Sequence, residues 1–428
     1  MKMKRTESWV MGAASAVLLG ASLVSPASAA DAPAAPVSFL DSLKFSGWVE
    51  GGYTVNPSSN VNFGSLMTAP ANKLLLNQAV IGVEKDIDPA AEGFDWGFKI
   101  QGMYGTDARI VHTLGIFDRS INDSRQADIL EADISLHLPV LTEGGVDLKI
   151  GNYPTPLGAE VIAAGGNQFY SHSYIFNFGL PFKHTGGYAT IHLNPTVDLY
   201  AGADTGTNTS FGHGDNNGNG ALLAGIGLNN LLDGELTVLA LTHIGPENPN
   251  TAAYTAALGH GQGINASHDM RYYNDIVVTF KPNQKWTYTT EMNYVQDDGV
   301  HAIAYGVSQY IVYAITDELS FGVRGEVFRD NGNFFVGYPT GNFDLVDFQR
   351  GVLDPTLLAA TTATTYGEFT AGFNYRPAGL PEPLGLTVRP EVRVDTGING
   401  TKPFNINGSN PTGDSNQVTF GVDAILAF

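Results

Sequence analysis

The sequence has no cysteine among its 428 residues, which excludes a disulfide frame, a thiol nucleophile and any Cys-ligated zinc site. It is also poor in charge. Asp, Glu, Lys and Arg together make up 15% of the chain, against about 25% in ordinary globular proteins. Positive charge is the scarcer sign, with 22 Lys and Arg against 42 Asp and Glu and a net charge of −20. A phosphate backbone wants the opposite balance, so nucleic acid is excluded as a partner. Long hydrophobic runs are missing as well. Past the N-terminus no stretch supplies the roughly 20 apolar residues of a spanning helix. Glycine, at 51 residues, and aromatics, at 11%, are plentiful.

The N-terminus reads as an export signal. Lys2, Lys4 and Arg5 precede the small, apolar "VMGAASAVLLGASLV", and "SPASAADA" offers a small-residue cleavage site at Ala27–Ala29. Residues 1–30 are therefore expected to be a signal peptide and 31–42 a periplasmic segment. Cleavage leaves 19 basic and 41 acidic residues, a balance of −22.

The dominant signal in the rest is period two. "DWGFKIQGMY" sets Trp96, Phe98, Ile100 and Tyr104 against Asp95, Lys99 and Gln101. "LTVRPEVRVD" sets Leu386, Val388, Val392 and Val394 against Arg389, Glu391, Arg393 and Asp395. Sixteen such segments are expected, near 43–53, 73–84, 94–104, 126–138, 145–153, 184–193, 196–205, 221–229, 234–243, 270–281, 284–296, 301–315, 319–329, 364–376, 384–395 and 417–428. Each has the length of a tilted strand crossing a bilayer. Connections after even-numbered segments are mostly short, as in "NP" at 194–195. Those after odd-numbered segments are mostly long, as at 105–125 and 154–183. Short turns on one side and long loops on the other predict a transmembrane antiparallel β-barrel over 43–428, in an outer membrane.

A barrel accounts for the chain end, "QVTFGVDAILAF". The last strand must pair with the first, because hydrocarbon offers no partner to an edge strand's N–H and C=O groups. Val418, Phe420, Val422 and Leu426 then face lipid, Asp423 faces the lumen, and Phe428 joins the aromatic girdle. A barrel of this size leaves an aqueous channel. Alternation places Glu50, Asp95, Lys99, Glu131, Asp133, Asp147, Lys149, Glu291, Arg324, Glu326, Glu368, Arg376, Arg389, Glu391, Arg393 and Asp423 on its inner face. "DNNGNG" at Asp215–Gly220 matches half of a calcium loop but has Ile226 where a bidentate Glu is needed, so it reads as a polar surface loop. No HExxH or GxSxG signature is present.

One segment carries a resemblance. The "PLGAEV" of Pro156–Val161, the "NQFYSHSY" of Asn167–Tyr174 and the "LPFKHTG" of Leu180–Gly186 resemble the OmpL-like porins, the second β-barrel porin family. The resemblance implies an outer-membrane pore and leaves its solute open. In general sixteen-stranded porins the loop at this position folds into the lumen, so 154–183 is expected to turn inward and present Glu160. Two arrangements of charge are open. Glu160 faces Arg324, Arg389 and Arg393 across the channel as a transverse field, or Arg389, Glu391, Arg393 and Asp395 neutralise one another along the wall. Glu326, Lys99, Lys149, Glu131 and Asp133 complete the expected pore lining.

The expected function is passive diffusion of small hydrophilic solutes or ions, with no enzyme activity, cofactor or metal, and with outer-membrane lipid as surroundings. The acidic balance suggests a mild preference for cations. Resemblance further suggests a homotrimer, and delivery to the barrel-assembly machinery through Phe428. The alternatives are an adhesive or structural barrel with a blocked lumen, and an outer-membrane hydrolase with its triad in the rim loops.

Overall fold

The computed structural model describes residues 39–88, 93–118, 124–258, 263–341, 345–351 and 362–428. The expected signal peptide, most of segment 31–42 and the end of "GYPTGNFD" (Gly337–Asp344) lie outside these residues.

Sixteen strands follow one another. They are β1 (Lys44–Val55), β2 (Leu74–Lys85), β3 (Asp95–Gly105), β4 (Gln126–Leu138), β5 (Val146–Pro154), β6 (Lys183–Asn194), β7 (Val197–Asp204) and β8 (Ala221–Leu231), then β9 (Leu236–Pro246), β10 (Met270–Phe280), β11 (Trp286–Asp297), β12 (Ala302–Ala314), β13 (Leu319–Asp330), β14 (Thr364–Tyr375), β15 (Gly385–Gly397) and β16 (Asn416–Ala427). Each pairs antiparallel with its chain neighbours, and β16 returns to β1 to close the barrel. All sixteen expected segments are strands. The largest boundary difference is in β9, which runs three residues past the expected 243, to Pro246. Its closing His243 and Gly245 blur the alternation there.

Two solvents explain the pattern. Along β16 the inward side chains Gln417, Thr419 and Asp423 are buried, whereas Val418, Phe420, Val422 and Leu426 are exposed on the outer surface. A lipid-facing barrel wall needs this arrangement, with apolar groups outward and polar groups inward. Closure is sealed at the last residue. The N–H of Gly47 donates to the Phe428 carbonyl at 3.0 Å, and the N–H of Phe428 donates back at 2.9 Å. Gly47 has to be glycine here, because a Cβ would lie 2.5 Å from the Phe428 ring. The terminal aromatic therefore packs on the first strand as part of the seam. Removing it would leave the N–H and C=O of Gly47 without these partners at the seam.

Candidate functional site: a loop bound across the lumen

The connection between β5 and β6, residues 155–182, runs inside the barrel and forms little regular structure of its own. It contains a short 3-10 turn at Ala164–Gly166 and one π-turn at Ile175–Gly179. Irregular backbone in such a place must find partners for its N–H and C=O groups. The barrel wall supplies them with charged side chains.

Carboxylates accept the loop's N–H groups. Asp275 on β10 takes Gly158 at 3.1 Å, and Glu291 on β11 takes Ala159 at 3.0 Å. Glu326 on β13 takes Tyr174 and Ile175 at 2.6 and 2.8 Å, one on each oxygen. Glu391 on β15 takes Tyr170 and Ser171 at 2.9 and 3.1 Å. Arginines donate to the loop's carbonyls. Arg389 reaches Ala164 and Asn167 at 2.8 and 2.9 Å. Arg324 reaches Ser171 at 2.8 Å, and Arg393 reaches His172 at 2.6 Å. On β2, Gln78 both donates to Ile162 at 2.7 Å and accepts from Ala164 at 3.3 Å. Bonds to charged groups stabilise by about 1.5–3 kcal/mol each, so the set fixes the loop to β10, β11, β13 and β15, with Gln78 of β2 holding its near side.

Glu160 is part of this anchorage. Its Oε1 meets Arg324 Nη1 at 2.6 Å, and its Oε2 accepts from the Ser173 N–H at 2.9 Å and lies 3.0 Å from His172 Nδ1. Burial works against its ionisation. The Arg324 guanidinium, with His172 and the Ser173 N–H, overrides burial and holds the carboxyl down at about 2. The arginines expected to face it across water lie instead beneath the loop. Arg324 is 0% exposed, and Arg389 and Arg393 are 2% exposed. Arg324 also binds Glu368 at 3.0 Å, Arg389 binds Glu50 at 3.1 Å and Asp423, and Arg393 binds Asp395 at 2.7 Å. A transverse field across an open gap is thus replaced by direct contact, because the loop itself fills the space between these groups. Neutralisation along β15 is partial. Arg393 and Asp395 pair, whereas Arg389 turns to neighbouring strands and Glu391 to the loop.

Apolar packing completes the anchorage. Tyr174 stacks on Tyr366 with ring centroids 4.8 Å apart, and Phe176 stacks on His172 at 4.1 Å. Arg324 lies over Phe169, and Arg393 over Tyr174, at 5.3 and 5.4 Å. The wall makes room with glycine. A Cβ on Gly52 would sit 2.3 Å from the Tyr170 ring.

The inner wall of β2–β5 is different. Lys99 bridges Glu84 at 3.2 Å and Glu131 at 3.4 Å, and Lys149 bridges Glu131 at 2.7 Å and Asp133 at 3.5 Å. The side chains of Lys99 and Lys149 keep 27% and 25% of their surface exposed. Toward the short-turn rim, His137 and His192 flank Asp147 at 2.6 and 3.1 Å, and His192 also reaches Asp198 at 2.7 Å. Asp95 pairs with Lys85 at 3.2 Å near the same rim. Alternation located most of these residues. It missed Gln78, Glu84 and Asp275, and nothing in the sequence told anchoring carboxylates from lining ones.

Residues 42–428 match the family described as "Putative beta-barrel porin-2, OmpL-like". The chain belongs to this OmpL-like porin family. No curated protein matches it. Among solved structures it is similar to the outer membrane channel DcaP of Acinetobacter baumannii, at 15% identity and a TM-score of 0.55, covering 90% of this chain and 97% of that one. It is similar to Pseudomonas putida OprB at 14% identity and a TM-score of 0.52, covering 91% and 95%. An anion-selective porin from Comamonas acidovorans aligns at 9% identity and a TM-score of 0.51, covering 90% and 99%. These likenesses concern the fold. With the family, they make the chain a porin of the bacterial outer membrane, a channel through which solutes pass.

Proposed function

We propose that solutes cross this porin between the lumen loop and the wall of β2–β5, and that the Glu84–Lys99–Glu131–Lys149–Asp133 ladder sets ion preference. The observation that carries this reading is the asymmetry of the wall. Asp275, Glu291, Arg324, Glu326, Arg389, Glu391 and Arg393 are buried against the loop, whereas Lys99 and Lys149 stay partly exposed over the buried Glu131 and Asp133. Charges lining the water column are the ones that select. The ladder holds three carboxylates and two lysines, so its field favours cations weakly. Diffusion down a gradient needs no catalytic group or cofactor. Planar-bilayer recordings under a salt gradient test the reading. Wild type should give a small reversal potential of cationic sign, and Lys99→Gln should enlarge it. A reversal potential unmoved by Lys99→Gln contradicts it. Uptake of small sugars by liposomes carrying the protein separates an open channel from a blocked barrel.

Two partners belong to the same proposal. The outward row Ala189, Ala201, Ala224, Thr242 and Asn274 lies in register across β6–β10. The Thr242 hydroxyl donates to Asn274 Oδ1 at 3.0 Å on this outer face. Small residues and a polar pair at membrane depth favour protein over lipid as neighbour, so this face is read as the contact between copies in a homotrimer. Cross-linking through Ala201→Cys, in a chain with no other cysteine, tests it. Phe428 is read as the signal for the barrel-assembly machinery. Its deletion should lower the yield of membrane-inserted barrel.

A further inference from the structure

Among the described residues, one group of His and acidic side chains converges closely enough to hold a metal ion: His184, Asp204 and His243. All three are buried. They come from three strands at the long-loop rim. His184 is the second residue of β6, Asp204 the last of β7, and His243 lies three residues before the end of β9. Strand β8 runs between β7 and β9, and Ala221 is the residue it sets opposite Asp204. This small side chain lets Asp204 and His243 meet over it.

The donor atoms are already grouped. His184 Nδ1 lies 3.3 Å from Asp204 Oδ2, and His243 Nε2 lies 3.0 Å from Asp204 Oδ1. All three donors fall within 4.8 Å of one another. Ligands held about 2 Å from a zinc ion stand roughly 3.3 Å apart around it. The far nitrogens are placed as outer supports. His184 Nε2 is 3.0 Å from the Thr155 hydroxyl, which leaves Nδ1 for the ion. His243 Nδ1 points to Glu247 Oε1 at 3.9 Å. A carboxylate behind a ligating imidazole is the usual outer support of such sites.

A second observation comes from hydrogen bonding. His184 Nδ1, His243 Nδ1 and Glu247 Oε1 are buried and make no hydrogen bond. Buried polar atoms without partners are rare and costly. His184 Nδ1 is the one aimed at Asp204, where an ion would take it as a ligand, and His243 Nδ1 and Glu247 Oε1 face each other behind the ligating Nε2.

We propose that His184, Asp204 and His243 bind one divalent transition-metal ion of the Zn²⁺ type. Two imidazoles and one carboxylate suit Zn²⁺, Co²⁺, Ni²⁺ or Cu²⁺ rather than Mg²⁺ or Ca²⁺. Such an ion ties the rim ends of β6, β7 and β9 together. It fastens the lumen loop where it leaves the barrel interior, because His184 follows the loop's last residue, Phe182, by two positions.

The test uses the full barrel in detergent, stripped with chelator and titrated with Co²⁺ as the probe, then with competing Zn²⁺. Folding of every variant is checked by heat-modifiable mobility on electrophoresis. Wild type should take up one Co²⁺ per chain, with the visible absorption of a nitrogen- and oxygen-ligated ion, and should unfold at a higher temperature when loaded. His184→Ala and His243→Ala should each abolish the absorption while staying folded. Glu247→Gln should weaken binding about tenfold, and His192→Ala, at the opposite rim, should leave it unchanged. The proposal is overturned if folded wild type binds no stoichiometric Co²⁺ or Zn²⁺, or if the double variant His184→Ala/His243→Ala binds as wild type does.

Discussion

Two halves of one inner wall use the same residue types for opposite ends. On β10–β15, Asp275, Glu291, Arg324, Glu326, Arg389, Glu391 and Arg393 are buried and hydrogen-bond to the loop's backbone. On β2–β5, Lys99 and Lys149 bridge Glu84, Glu131 and Asp133, and the two lysines keep a share of their surface open. Charge in the lumen is therefore a poor sign of selectivity by itself. In the proposed reading, a charge with irregular backbone over it is structural and one left open is selective. The buried half behaves like a protein core built from ions, where removing one partner strands another. The open half behaves like a solvated surface.

The largest effect should follow Arg324→Ala. It leaves Glu160 and Glu368 buried without their cation, and breaking a buried pair costs about 3–5 kcal/mol. The detergent-solubilised barrel should unfold at a clearly lower temperature, and single-channel current should become larger or noisier as the loop loosens. An unfolding temperature equal to wild type would remove the anchoring role. Next comes Lys149→Gln on the open wall. It should shift the reversal potential toward cations, with a smaller loss of stability than Arg324→Ala. Equal losses from both would erase the distinction between the halves.

A smaller and pH-dependent effect concerns Glu160. Its carboxyl is lowered from about 4.5 to about 2 in the folded protein. A lowered acid contributes its full stabilisation above the higher of these values and loses it as pH falls toward the lower. Wild type and Glu160→Gln should thus differ in conductance and stability at pH 7 and converge between about pH 4.5 and 2. A difference that persists unchanged at pH 2 would contradict the assignment. The smallest effect belongs to the exposed Lys44–Asp86 pair at 2.6 Å, whose side chains are 63% and 60% exposed. Surface pairs of this kind contribute about 0–1 kcal/mol, so Lys44→Ala should leave unfolding and conductance near wild type.

The barrel was legible in the sequence because each strand meets oil on one side and water on the other, and that contrast prints itself as period two. Strands β8, β9 and β12 were the weakest signals. In β8 and β9 the inward face carries Leu223, Leu239 and Leu241, so both sides read as apolar. The loop's inward course was legible only by resemblance. Its anchors were visible as lumen charges, but partnership depends on which backbone atom lies opposite, and period two carries no such information. Gly52, cleared for Tyr170, and the His184–Asp204–His243 group are contacts between residues far apart in the chain, and spacing along it could not show them.

The most direct test of the central claim, that the loop seals one half of the wall and leaves the other to the solute, is block of single-channel current by a water-soluble thiol reagent. The chain has no cysteine of its own. Lys149→Cys places a thiol on the open ladder. Ser308→Cys places one on the sealed side, where Ser308 is 0% exposed and paired in register with the loop anchors Glu291 and Glu326. The account predicts a stepwise fall in conductance for Lys149→Cys and none for Ser308→Cys. Rapid block through Ser308→Cys, or none through Lys149→Cys, would contradict it.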